Sequence, residues 1–299
     1  MKELTSKIHA SLADRFWYGI IVTVLVITGL LSLFPIYYVF VISFIDPSEY
    51  LKGGLILFPR QWTLDGYKYL MSTSTFVHAI GVSAFLSVVG TASSLMVTSA
   101  FAYMLSKKRL YGRRIIMLAV LLTTLFQPGI IPPFLLVKEL GLINNLWSLI
   151  LPVLTSGWYV LLMKGFFDSI PASLEEAATI DGSGDLGVWF RIVLPLSLPA
   201  LAAFGLFYAV AYWNTFFSAV LYINDHTKWP LQVLLQNLLI DSSTAMGGDA
   251  AAELSAERMI PPETLKMAAV VIATVPIMMV YPFLQKHFAK GAMVGSVKG

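Results

Sequence analysis

The sequence predicts an all-α polytopic membrane protein with six transmembrane helices. Of its 299 residues, 57% are hydrophobic and only 12% are charged, whereas soluble domains carry roughly 25% charged residues. Apolar runs long enough to cross a bilayer alternate with short polar stretches. The positive residues also collect in segments that would lie on one side of the membrane. These observations exclude a water-soluble globular protein.

Six apolar runs are the predicted spans. They cover about residues 17–45, 76–105, 115–137, 146–166, 194–222 and 264–284. The first run is too long for the core of a cleavable signal peptide, so we expect it to remain in the mature protein. In the third run, Pro128-Gly129 and Pro132-Pro133 predict a bend or break in the outer half.

The remaining segments are predicted to be tails and loops. Residues 1–16 and 285–299 are expected to be tails flanking a six-span domain at 17–284. Short helices are expected in the two long outer segments, at Leu64–Met71 and Leu231–Leu239. Small residues follow at Met246–Ala252.

The distribution of charge orients the spans. Both tails and the loops after the second and fourth spans hold 13 of the 20 lysines and arginines, and loops rich in these residues remain in the cytoplasm. Both termini are therefore predicted to be cytoplasmic. Residues 106–114 contain five cations, which we interpret as an inside loop; a dedicated lipid site is the alternative.

One polar interruption, Ser173 to Gly184, has readable local structure. Ser173 and Glu176 have capping-box spacing, which predicts a helix starting at Ser173. Gly182 stands where a helix end favours a left-handed residue. A second amphipathic helix, predicted to stop or bend at Pro195, follows from apolar residues at helical spacing. These residues are Leu186, Trp189, Phe190 and Val193.

This stretch resembles the EAA loop of the integral-membrane subunits of binding-protein-dependent ABC importers. The residues in the family positions are Glu176, Ala177, Ala178, Gly182 and Ile192-Val193-Leu194-Pro195. Ile170-Pro171, Asp181-Gly182 and Trp213-Asn214 resemble the carbohydrate-uptake branch, and the closest likeness is to maltose-type permeases, especially the complex-oligosaccharide subgroup. An ordinary amphipathic loop between two spans is the alternative interpretation.

The resemblance implies a permease subunit in the bacterial cytoplasmic (inner) membrane. Its expected partners are a second, homologous permease in a heterodimer, two ATPase subunits, an extracytoplasmic sugar-binding protein and membrane lipid. The EAA loop, residues 167–195, would couple this chain to the ATPases. The residues expected to do so are Glu175, Glu176, Ala177, Ala178, Asp181, Gly182, Ile192, Leu194 and Pro195.

Several chemistries are not supported by the sequence. Apart from Lys164 and Lys266 near span ends, the span cores contain no charged residue, which disfavours an ion-coupled carrier. No P-loop is present, so ATP and Mg²⁺ would be bound by partner chains, and the chain is not expected to be an enzyme. The four histidines are scattered and cysteine is absent, so no metal site is expected. A net charge of +3 is too small to suggest nucleic acid.

Uncharged polar and aromatic residues suggest a sugar pathway. The candidates are Asn214, Trp213, Tyr212 and Gln127. An amide offers paired donors and acceptors to hydroxyl groups, while an aromatic ring covers the apolar face of a sugar. Interfacial anchoring and hydrogen bonding between helices are the alternatives. Small residues at Ser87, Gly90 and Ser94 favour close helix packing over a pore. A secondary ion-coupled carrier and a non-transport membrane scaffold remain the rival functions.

Overall fold

The structure is a computed structural model that describes residues 12–240 and 261–295. These residues are almost entirely helical, and the isolated bridge between Ile45 and Trp62 does not extend into a sheet. The prediction of an all-α chain is therefore confirmed. The small-residue stretch at 246–252 and most of the N-terminal tail lie outside the described residues.

The helices are named in chain order. They are α1 (Leu12–Ser43), α2 (Pro47–Tyr50), α3 (Asp65–Ser72), α4 (Ser74–Phe85), α5 (Thr91–Ser106), α6 (Arg113–Leu125), α7 (Ile131–Glu139), α8 (Gly157–Phe167), α9 (Ala172–Ile180), α10 (Asp185–Val188), α11 (Leu194–Leu196), α12 (Leu198–Trp213), α13 (Phe217–Tyr222), α14 (Leu231–Ile240) and α15 (Pro262–Gly295). The two short outer helices predicted from sequence are thus present as α3 and α14.

Three helical segments are long and apolar enough to cross a membrane. They are Arg15–Ser43, the continuous helix Ser74–Ser106 and Pro262–Val280. Two bent pairs, Leu146–Val153 with Gly157–Phe167 and Asp185–Leu196 with Leu198–Trp213, would raise the number to five. The count of six therefore stays a prediction.

The predicted third span is broken. Helix α6 ends at Leu125, α7 begins at Ile131, and Gly129 between them has a φ of 77°. Pro128 removes a backbone donor, and Pro132 and Pro133 favour the start of a new helix. The bend predicted from these prolines is confirmed. At the other end of the chain, α15 continues through Gly295, so the helix extends into the segment predicted to be a tail.

The chain divides into two compact units. One contains the described parts of residues 1–68 and 249–271, and the other contains those of 69–248 and 272–299. In the first unit, the Glu49 carboxylate accepts hydrogen bonds from the backbone N–H groups of Arg60 at 2.9 Å and Gln61 at 3.4 Å. The Ser43 and Tyr67 hydroxyls are 2.7 Å apart. These bonds fix the loop that follows α1.

The core of the second unit forms where α4, α5, α8 and α12 pack together. A π-helical turn at Leu86–Gly90 joins α4 to α5, and Gly90 lies against Tyr212. A Cβ at Gly90 would come within 2.7 Å of the Tyr212 ring carbons. The interpretation of the small residues as a close-packing surface is therefore confirmed at Gly90.

A second set of contacts joins the turn after α7 to the segment after α13. The Asn144 N–H donates to the Tyr222 carbonyl at 2.7 Å, and the Asn144 side chain accepts from the Asp225 N–H at 3.0 Å. The Thr227 hydroxyl donates to Asp225 and lowers the pKa of that carboxyl below its ordinary value. These bonds place α14 beside α4, where the Leu231 N–H donates to Ser83 Oγ at 2.8 Å.

Candidate functional site

The first arm of the EAA loop is α9, and it begins earlier than the sequence predicts. Pro171 is the N-cap residue, with φ −57° and ψ 126°, and it makes no side-chain cap bond. The Leu174 N–H donates to the Pro171 carbonyl at 3.2 Å. Ser173 therefore lies inside the first turn, whereas a capping residue must be extended. The predicted Ser173–Glu176 capping box is wrong because the proline has already set the start of the helix.

The turn that ends α9 does match the prediction. Gly182 has a φ of 84°, in the left-handed region. The Ser183 N–H donates to the Ala178 carbonyl at 2.9 Å, and the Gly182 N–H donates to the Thr179 carbonyl at 3.1 Å. This pair of bonds is a Schellman motif, which satisfies carbonyls left open at a helix end. The glycine at this position is thus explained by backbone geometry.

The second arm is not the regular amphipathic helix expected. A π-helical segment, Trp189–Val193, separates α10 from α11. Trp189 and Val193 are buried as predicted, but Leu186 is 73% exposed and Phe190 50% exposed. The wider π turn rotates the residues that follow it relative to a regular α-helix, and the buried face of this arm is formed by Val188, Trp189 and Val193.

The bend after this arm lies close to Pro195. The segment Asp185–Leu196 makes an angle of 84° with Leu198–Trp213, and the break falls at Ser197. Pro199 cannot donate to the carbonyl of Pro195, and its ring crowds that carbonyl. The expected bend is therefore confirmed, two residues later in the chain.

Two ion pairs connect the EAA loop to the cation-rich loop after α5. Glu175 of α9 pairs with Lys107, and Asp185 of α10 pairs with Arg109. Lys107 also lies over the Tyr103 ring, 4.0 Å from its centroid. The Lys107 and Glu175 side chains are 17% and 28% exposed, against 68% and 62% for Arg109 and Asp185. An exposed ion pair such as Arg109–Asp185 contributes only about 0.2–1 kcal/mol to stability. We therefore expect Lys107–Glu175, which is more buried, to fix the relative position of the two loops more strongly.

A groove of about 640 Å³ lies between these loops. Its lining combines charge with apolar surface, including Glu176, Thr179 and Ile180 from α9 and Lys108 from the facing loop. The Ile180 side chain is 86% exposed. Exposed apolar residues rimmed by charge are typical of a protein contact surface.

The residues predicted to couple to an ATPase divide by exposure. Glu176, Ala177, Asp181, Gly182 and Pro195 are exposed, Glu175, Ile192 and Leu194 are half-buried, and Ala178 is buried. The exposed set is available to a partner. Ala178 instead belongs to an internal core with Val188 and Trp189, which joins the two arms of the loop.

The predicted solute residues also divide into two groups. Tyr212 is buried and its hydroxyl is 2.8 Å from Ser94 Oγ, while Trp213 donates to the Ala273 carbonyl at 3.0 Å. Asn214 and Gln127 are exposed. The structure thus gives Tyr212 and Trp213 internal partners, and leaves the amides accessible.

Asn214 has a polar neighbour that the sequence did not indicate. Its Nδ2 donates to the Val210 carbonyl at 2.9 Å, which fixes the amide, and its Oδ1 accepts from Gln232 Nε2 at 3.2 Å. Gln236 is one helical turn further along α14. Leu231, Val233 and Leu235 beside Gln232 are buried, but their spacing of two is not that of one helix face, so no helical periodicity pointed to Gln232.

The ion pairs of the EAA loop were likewise missed. The available signal was charge complementarity, since Lys107 and Arg109 face two acids across loops predicted on the same membrane side. Among the described residues, no group of three or more histidine, aspartate or glutamate side chains could hold a metal ion.

Comparison with known proteins identifies the family. The family described as "Binding-protein-dependent transport system inner membrane component" matches residues 8–294. The chain belongs to this family. Its match includes both arms of the EAA loop and the Asn214 region, so the two sites described above lie within the shared domain.

Two relatives in this family are informative. The polygalacturonan/rhamnogalacturonan transport system permease protein YtcP of Bacillus subtilis strain 168 is 48% identical over 288 residues, covering 96% of this chain and 99% of YtcP. The arabinooligosaccharides transport system permease protein AraQ of Halalkalibacterium halodurans is 28% identical and covers 90% of this chain and 92% of its own.

A solved structure is similar over nearly the whole fold. A chain of a bacterial ABC transporter involved in the import of the acidic polysaccharide alginate aligns with a TM-score of 0.87 and 32% identity. The alignment covers 93% of this chain and 98% of that chain. The helical arrangement described here is therefore that of a transporter subunit.

Proposed function

We propose that this chain is the permease subunit of an ATP-driven ABC importer for a sugar or oligosaccharide. The observation that carries the proposal is the family match over residues 8–294 together with the EAA loop, whose Schellman turn presents α9 beside a charged groove. The named cargoes of the relatives are saccharides, both the acidic galacturonan type and the arabino-oligosaccharide type.

Four further chains complete the proposed importer. A second, similar permease forms a heterodimer with this one, two ATPase subunits bind ATP and Mg²⁺ on the cytoplasmic side, and an extracytoplasmic sugar-binding protein delivers the cargo. Both termini and the EAA loop face the cytoplasm. This orientation follows from the positive charge in residues 106–114 and in the two tails.

The EAA loop is the proposed contact with one ATPase. Ile180 is the exposed apolar residue nearest the turn, while Glu176 and Asp181 supply exposed charge. Closure of the two ATPases would displace α9, and the bend at Ser197 connects that displacement to α12. Alternating access then follows from the tilt of the transmembrane helices.

The proposed solute contact is the amide pair Asn214 and Gln232. Both side chains keep donor or acceptor capacity beyond the bond that joins them, so they can exchange hydrogen bonds with sugar hydroxyls. Tyr212 and Trp213 precede this amide pair in the chain and have a structural role, because their polar atoms are already bonded inside the protein.

Reconstitution of the complete transporter tests the function. We expect uptake of saccharide into proteoliposomes only with ATP and loaded binding protein, using an arabino-oligosaccharide and an oligogalacturonate as parallel probes. The isolated subunit should hydrolyse no ATP. Uptake driven by an ion gradient without ATP would instead support the ion-coupled carrier.

The solute contact has its own test. Asn214→Ala should lower saccharide uptake while the complex still assembles, because truncation removes the bond to Gln232 and leaves fewer groups for hydroxyls. The matched control is Gln61→Ala, an exposed amide that is not among the predicted solute residues. Unchanged uptake by Asn214→Ala would remove the pair from the solute path but leave the transporter function intact.

A further inference from the structure

Both arms of the EAA loop are tied to the same short stretch of another loop. Glu175 lies before the Gly182 turn and Asp185 after it, and they pair with Lys107 and Arg109, which are two residues apart. A general attraction between oppositely charged loops does not require one ion pair on each side of the Gly182 turn. The stretch 107–109 therefore bridges the turn.

Lys107 is the better-placed of the two cations. It is the C-cap residue of α5, with φ −72° and ψ 115°, so its backbone is continuous with the helix end. Its ammonium group is held between the Glu175 carboxylate and the Tyr103 ring. A cation largely removed from water is destabilised when its partner is lost, so the pair favours one position of α9 relative to α5.

The same α5 is attached to α12 at its middle. The Thr98 and Tyr208 hydroxyls are 2.7 Å apart, and those of Ser94 and Tyr212 are 2.8 Å apart. Since α12 follows the EAA loop in sequence, the EAA loop is connected to α5 in two ways: through the ion pair and through α12. Motion of the loop can reach α5 directly through Lys107, or indirectly through α12.

We propose that Lys107 and Glu175 are positioning residues that transmit displacement of the EAA loop to the long helix Ser74–Ser106. This inference rests on the proposed function. Lys107 then transmits displacement in addition to orienting the protein in the membrane. A neighbouring cation that has no acidic partner would contribute to the orientation only. Arg114 is that neighbour: it is exposed, and no ion pair of the described residues includes it.

Charge reversal in the complete transporter tests the transmission. The variants are Lys107→Glu, Glu175→Lys, the double exchange, and Arg114→Glu as the control with the same change in loop charge. The measured quantity is saccharide uptake per ATP hydrolysed. We expect each single reversal of the pair to lower it by at least about fivefold. Arg114→Glu should remain within about twofold of wild type, and the double exchange should exceed the poorer single variant by at least about threefold.

A distance measurement separates this proposal from the proposed function. The chain contains no cysteine, so nitroxide labels can be placed specifically at Tyr111→Cys and Gly184→Cys, both exposed positions in the two loops. In the complex, pulsed electron resonance should give a broader distance distribution with Lys107→Met than with wild-type Lys107 or Lys107→Arg. Methionine keeps the apolar packing over Tyr103 but not the charge.

Each outcome decides between the claims. The proposal is overturned by a double exchange no better than the poorer single variant, by equal loss in Lys107→Glu and Arg114→Glu, or by an unchanged distance distribution in Lys107→Met. Absence of ATP-driven uptake in the wild-type transporter would refute the proposed function, while the distance distribution would still report whether the pair positions the loop.

Discussion

Replacing Gly182 with valine should weaken coupling without preventing insertion into the membrane. Gly182 has a φ of 84°, and a Cβ built there meets nothing within 4 Å. The penalty is therefore conformational strain rather than collision, about 1–2 kcal/mol for a side chain in the left-handed region. A β-branched residue belongs at the upper end of that range.

The strain affects the free and docked states differently. In the free loop, the turn can open by releasing the Schellman bonds from Ser183 and Gly182, and because the freed groups then bond water the cost is about 0.5 kcal/mol for each bond. In the docked loop, the ATPase surface holds α9 and the turn in place. Docking of the variant should therefore weaken by the strain less that opening cost, which is about 1 kcal/mol at the upper end of the strain range, or about fivefold in affinity.

Gly184→Val is the matched control. Gly184 is also unobstructed, but its φ of −75° and ψ of 171° are accessible to valine. ATPase association would be measured by titration in detergent, and uptake and hydrolysis on the same reconstituted samples. Wild-type affinity and coupling in Gly182→Val, or equal losses in both variants, would refute the reasoning from the turn.

Two further outcomes follow from the packing and the charge distribution. Gly90→Ala should lower thermal stability by about 1–3 kcal/mol, because its Cβ would overlap the Tyr212 ring; Gly81→Ala, with nothing within 4 Å, is the control, and equal melting temperatures would contradict this packing. In intact cells, an impermeant thiol reagent should label Leu55→Cys but not Ser183→Cys. Labelling of the latter from outside would overturn the predicted orientation.

The sequence was most informative where backbone chemistry is local. The break near Pro128, the left-handed Gly182 and the bend near Pro195 each follow from a residue whose conformational limits are intrinsic. The helical character of α3 and α14 likewise follows from short-range periodicity. Such signals survive folding because neighbouring elements rarely change which φ values a proline or glycine can adopt.

Local signals failed where two of them competed. The capping-box spacing of Ser173 and Glu176 is genuine, but Pro171 precedes it and already holds the extended conformation that a cap needs. One consequence is that Glu176→Ala should not destabilise α9 through loss of a cap. Any effect of that change would come from the exposed carboxylate itself.

Contacts between distant residues could not be read from the sequence. Lys107 and Glu175 are 68 positions apart, and Asn214 and Gln232 are 18 apart. Composition placed the first pair on one side of the membrane, but many pairings of those charges satisfy the same rule. Only the packing of α5 against α8 and α12 determines which of these charge pairings forms, and that packing depends on side-chain shape along whole helices.

The geometry at Ser197 bears on how the proposed transmission works. Pro195 and Pro199 flank the bend, and their rings fix φ on both sides of it. A glycine hinge would absorb a displacement of the EAA loop by changing its own dihedral angles, whereas a proline-bounded bend resists that change. With α12 set at 84° to the second arm, a displacement along that arm is directed across the axis of α12. Because Tyr208 and Tyr212 bond α12 to α5, such a displacement moves both helices together. The Lys107–Glu175 pair transmits the same displacement directly to the C-terminal end of α5.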